Sequence, residues 1–119
     1  MIATNWPRLE PGEGGALEEF AVRHGDFALA SAACVLDVAD ARVTDVRLAV
    51  GSVTDRPELV DASALVGHAV DADAARSVAA AVAASVEPPP NLHGSTEYRR
   101  RLVEVLVERV LARAWAAAT

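Results

Sequence analysis

The chain has 119 residues, 52% of them hydrophobic and 24% charged, which fits one globular domain with a modest core and leaves no room for a separate nucleotide-binding unit. A net charge of -6 argues against a nucleic-acid surface, because phosphate binding needs clustered Lys and Arg. No apolar run approaches the roughly 18 residues of a membrane span, and the N-terminus lacks the basic flank and apolar core of a signal peptide, so the expected location is the cytoplasm.

The first fifteen residues hold Pro7, Pro11, Gly12, Gly14 and Gly15. That density is incompatible with a regular helix and predicts an extended connector over residues 1–15, with the domain proper over 16–119. Leu17 to Val22 reads as a short strand with Phe20 and Val22 on one face, although Glu18 shares their parity. Ala28 to Val38 is nearly continuous small apolar sequence, compatible with a helix or with a strand covered on both faces. The next segment decides between them. Val43 to Val50 alternates, Val46, Leu48 and Val50 against Asp45 and Arg47, as a half-exposed strand does. Asp37 to Arg42 is a polar interruption short enough to close a hairpin, so Ala28–Val38 becomes the partner strand. Gly51-Ser52 and Arg56-Pro57 are expected to end the sheet, since Pro57 cannot donate to a ladder.

Beyond Pro57 the period turns helical. Asp61 to Val66 predicts a short helix stopped by Gly67, and Asp71 or Asp73 caps a second that runs to Val86. Pro88-Pro89-Pro90 stops it and forms a semi-rigid spacer. The last helix starts near Ser95 or Thr96 and reaches about Ala116. Tyr98, Leu102, Leu106 and Val110 make one apolar row, and Val103, Val107, Val110 and Ala114 a neighbouring one. Three strands followed by three helices predict an α+β domain, with a three-stranded antiparallel sheet and the helices packed on one face.

Few residues carry recognisable chemistry. His24, His68 and His93 are too scattered for a metal site, and no hydrolase, kinase or phosphate-binding motif is present; no catalytic residue and no metal ligand are assigned. Cys34, the only cysteine, lies among small apolar residues and reads as a buried hydrophobe. Arg99, Arg100 and Arg101 fan over roughly 200° of a helix and read as solvated surface. Trp6 and Trp115 read as packing or interface area. Arg23-His24-Gly25-Asp26 is, on local chemistry, a turn: glycine permits positive φ and aspartate accepts local backbone hydrogen bonds.

Two stretches carry more than this. Phe20-Ala21-Val22-Arg23-His24-Gly25-Asp26-Phe27-Ala28-Leu29-Ala30 sets a charged, glycine-containing corner between two apolar segments, and His93-Gly94-Ser95-Thr96-Glu97-Tyr98-Arg99-Arg100 opens the last helix. Together they resemble the C-terminal domain of the FAD-binding, or medium, flavoprotein subunit of the molybdenum hydroxylases, the carbon monoxide dehydrogenase and xanthine dehydrogenase family. The resemblance runs from about Trp6 to Trp115. It implies the same order of strands and helices, and it places the corner near the isoalloxazine edge of FAD. Arg23, His24, Gly25 and Asp26 are then cofactor-binding candidates: a cation there stabilises anionic reduced flavin and a carboxylate opposes it. The second stretch is equally well explained as a helix cap.

The glycine-rich segments that bring backbone N–H groups to the FAD pyrophosphate in that family have no counterpart in this chain. The resemblance therefore implies one part of a shared flavin site, in a split subunit or a fragment that does not hold FAD tightly alone. Its partners would be an FAD-binding domain and the molybdopterin and iron–sulfur subunits of the same complex, in which electrons pass through iron–sulfur clusters to FAD. The other reading is a free-standing interaction or scaffold module of the same fold without a flavin role.

Overall fold

The computed structural model describes residues 9–21, 29–53, 56–88 and 95–119. Glu10 to Glu13 forms a turn closed by Glu13 N donating to Glu10 O at 2.9 Å. Pro11 and Gly12 occupy its centre, and Gly12 has φ +87°, as a type II turn requires. The turn delivers the chain into β1, Glu13–Phe20, which starts four residues before the expected Leu17. β2 covers Ala30–Ala39 and β3 Arg42–Gly51. The hairpin between them is tighter than the polar interruption suggests, because only Asp40 and Ala41 lie outside the strands. Both have positive φ, 54° and 59°, the type I′ geometry whose twist matches the flanking strands.

Two counts differ from expectation. The sheet does not end at Pro57: Glu58–Val60 adds a short β4 antiparallel to β3, giving four strands in the order β1-β2-β3-β4. Proline precedes the strand and takes no place in its ladder, so its missing N–H costs nothing there. The expected first helix is a single 3-10 turn, Ser63–Leu65. Gly67, at φ +88°, turns the chain so that its N–H reaches Val43 O at 2.8 Å, and His68 O accepts from Val43 N at 2.9 Å. Pairing with β3 has replaced a second helical turn. Two α-helices remain among the described residues. α1 spans Ala72–Ser85 and is capped by Asp71, whose carboxylate accepts from Ala74 N at 2.7 Å; α2 spans Thr96–Ala118 and is capped by Ser95, whose hydroxyl accepts from Tyr98 N at 3.1 Å.

Both helices lie on one side of the sheet. Ala30, Ala32, Cys34 and Leu36 of β2 and Leu48 and Val50 of β3 face Val103, Leu106, Val107, Val110, Leu111 and Ala114 of α2, and α1 adds Val78, Ala79 and Val82. Each fully buried Leu or Val there contributes about 1.5–3 kcal/mol. The α2 stripe follows the second expected row; Tyr98, from the first, is exposed, and Leu102 is half-buried. Small residues let α2 approach β1 closely. A Cβ on Gly14 would fall on the Ala114 carbonyl oxygen and 2.8 Å from Ala118 Cβ. Cys34 sits in this core, and burial pushes its thiol up to about 12.

Candidate functional site

β1 ends and β2 begins at the same edge of the domain, where Leu29 N donates to Phe20 O at 2.7 Å. This bond holds together the two ends of the segment that carries the first sequence stretch. Arg23, His24, Gly25 and Asp26 themselves lie outside the described residues, as do His93, Gly94 and Trp6. What the structure describes is the frame on either side of them.

The centre of that frame is Arg99, only 5% exposed. From the first turn of α2 its guanidinium Nη2 donates to Leu29 O at 3.2 Å and makes a second, very short hydrogen bond to Ser52 O. One side chain thus ties the start of α2, the start of β2 and the turn after β3. The two stretches singled out in the sequence, 70 residues apart, meet through it. Ser52 has φ 64°, a left-handed conformation that costs a non-glycine residue about 1–2 kcal/mol and persists here with its carbonyl held by the arginine. A cation in the first turn of a helix opposes the helix dipole, and burial adds a desolvation cost. Charge-assisted bonds to carbonyls offset both.

The reading of all three arginines as solvated surface is therefore wrong for Arg99. Arg101 is exposed, whereas Arg100 donates from Nε to Val86 O at 2.8 Å and lies 3.8 Å from Glu87. Thr96 Oγ1 donates to Pro88 O at 2.8 Å. The second stretch caps α2 through Ser95, and it also fastens the polypeptide before the helix and the sheet beneath it. The missed signal was spacing: Arg99 stands four residues before Val103, in the same buried row as Val107 and Leu111.

Among the described residues, no group of three or more His, Cys, Asp or Glu side chains is placed to hold a metal. Arg99 is buried and directed at backbone carbonyls, so it does not fit a pyrophosphate, which needs outward-facing donors. The described residues fit a support for the segment between Phe20 and Leu29.

The sequence matches the CO dehydrogenase flavoprotein C-terminal domain over residues 15–114. The chain belongs to that family. It is 40% identical to the nicotine 6-hydroxylase medium subunit of Paenarthrobacter nicotinovorans over 118 residues, 98% of this chain and 41% of the relative. It is 30% identical over 118 residues to the carbon monoxide dehydrogenase medium chain of Hydrogenophaga pseudoflava, again 98% of this chain and 41% of the relative. The solved carbon monoxide dehydrogenase of Hydrogenophaga pseudoflava superposes with a TM-score of 0.88 at 30% identity, covering 95% of this chain and 40% of that one. The flavoprotein C-terminal domain thus spans about two fifths of the length of these relatives. No helix among its described residues is long and apolar enough to cross a membrane.

Proposed function

We propose that the chain serves as the C-terminal domain of the FAD-containing electron-transfer subunit of a molybdenum hydroxylase, closing one side of the flavin pocket and contacting partner subunits. The observation that carries this reading is the Arg99 clamp: the two stretches that mark the family are joined at one edge of the sheet, bracketing the segment 22–28. The relatives support it by being medium subunits. In this reading residues 1–15 lead from an FAD-binding region to a domain over 16–119, with β1 overlapping the boundary. FAD held by that region would supply the electron transfer, between iron–sulfur clusters and an external acceptor. This chain's residues do not hydroxylate the substrate; Arg23, His24, Gly25 and Asp26 face the isoalloxazine and set its access and potential. The location is the cytoplasm, and the partners are the FAD-binding region and the molybdopterin and iron–sulfur subunits. Among the described residues no feature favours a scaffold role apart from the flavin.

Reconstitution tests it. Mixed with the FAD-binding region of the same flavoprotein, the chain is expected to slow flavin dissociation at least tenfold. The variant Arg23→Gln, which removes a cation from beside the reduced flavin, is expected to lower the reduction potential in a spectroelectrochemical titration. No complex and no change in flavin retention overturn the proposal.

A further inference from the structure

The helices cover one face of the sheet, and the opposite face carries an apolar band. Strand register places Leu17, Ala33, Ala49 and Leu59 in one row across all four strands. Leu17 is 61% exposed and Leu59 79%, and between them the small residues leave a trough of about 280 Å³. A third exposed leucine belongs to the same face: a Cβ on Gly15 would meet Leu9 Cδ1 at 3.4 Å and Val35 Cγ2 at 3.8 Å, and Leu9 is 54% exposed. These three are the most exposed large apolar side chains among the described residues. β2 is apolar on both faces over Ala32–Leu36, the composition of a strand covered on both sides. One end of the band is acidic, where Glu13, Asp37 and Asp45 share a row and, among the described residues, Arg47 is the one cation beside them, 3.7 Å from Glu13 and 3.9 Å from Asp45.

We infer that this open face is the docking surface for the FAD-binding region of the same flavoprotein, an inference that rests on the function proposed above. Leu9 is the first described residue, and it lies on this face. The described structure therefore begins beside Gly15 and Val35, at the margin of the Leu17–Leu59 band. The relatives continue for about three fifths of their length beyond the matched part, and the matched part is their C-terminal domain. A region joined by a short connector at the margin of an apolar face meets that face at high effective concentration. Its surface there is expected to be apolar at the centre, with a Lys or Arg opposite the Glu13–Asp37–Asp45 row.

The test is a binding titration of the chain against the FAD-binding region, with L17E/L59E as the disrupting variant and V105E, on exposed α2 surface, as the control. L17E/L59E is expected to weaken binding at least 100-fold and V105E by less than threefold. Hydroxyl-radical footprinting of the unaltered complex should remove labelling at Leu17 and Leu59, a readout that needs no variant to fold. Binding by the unaltered chain together with undiminished binding by L17E/L59E, or unchanged labelling, overturns the docking face and leaves the flavin reading standing. Absence of any binding by the unaltered chain overturns both. Self-association of the chain that L17E/L59E abolishes would assign the face to a second copy, and also overturns the inference.

Discussion

The two faces of the sheet are made by alternate residues of the same strands, yet they solve different problems. On the inner face, Gly14 meets the backbone of α2, and Ala32, Cys34 and Leu36 are sealed in the core. On the outer face, Leu17, Ala33, Ala49 and Leu59 are as apolar in the middle but end in a row of carboxylates, and two of them stand in solvent. The contrast teaches that period-two alternation sorts residues into faces without saying which face the domain itself buries. Close packing is the mark of the inner face; shallow relief and an acidic margin mark the outer one.

The largest expected effect comes at Arg99, where α2 meets Leu29 and Ser52. Arg99→Ala removes a buried cation from the Leu29 and Ser52 carbonyls and should cost about 3 kcal/mol or more in denaturant unfolding. Arg99→Lys should recover only part, since one ammonium does not reproduce a guanidinium spanning two carbonyls. In the reconstituted flavoprotein, Arg99→Lys should also shift the flavin potential; a change in stability alone would reduce Arg99 to a core residue.

Next in size is a direct comparison of adjacent glycines. Gly14→Ala drives a methyl into α2 and should cost about 2–3 kcal/mol. Gly15→Ala, on the outer face, meets only ordinary contacts with Leu9 and Val35 and should change stability by less than about 0.5 kcal/mol. Equal effects from the two would erase the distinction between the faces.

The smallest effect belongs to the acidic row. Burial, then the Glu13 charge, hold Asp37 above the usual carboxylate range, with Asp45 adding to the shift and Arg47 opposing it. A raised native pKa means the folded state binds the proton more readily than the unfolded chain. The resulting stabilisation is complete below the unfolded value of about 3.9 and is lost as pH rises through the native value. Asp37→Asn should therefore flatten the dependence of Tm on pH in that acidic window and leave the variant slightly more stable above it.

Much of this molecule was legible in its residues. β3 declared itself by alternation, the β2–β3 hairpin by its polar interruption, and α2 by Ser95 and a 23-residue helix with a continuous apolar stripe. β4 was not legible, because three residues cannot display a period and a preceding proline argues the other way. The Asp61–Val66 helix was misread because Asp and Gly67 mark helix ends without fixing how many turns lie between them. The recognised stretches meet at one edge of the sheet, but the clamp between them went unseen: three consecutive arginines were judged by their fan of directions, not by Arg99's place in the row that continues through Val103.

The clamp also bears on the order in which this domain takes shape. β1 to β4 is a meander in which every strand pairs with its neighbour in the chain, so its loops are short and inexpensive to close. The Arg99 bond to Leu29 joins residues 70 apart and forms only when the C-terminal helix has settled on the sheet. During synthesis the strands can be complete, with Leu29 already bonded to Phe20, while the Leu29 carbonyl still awaits the arginine that arrives with α2.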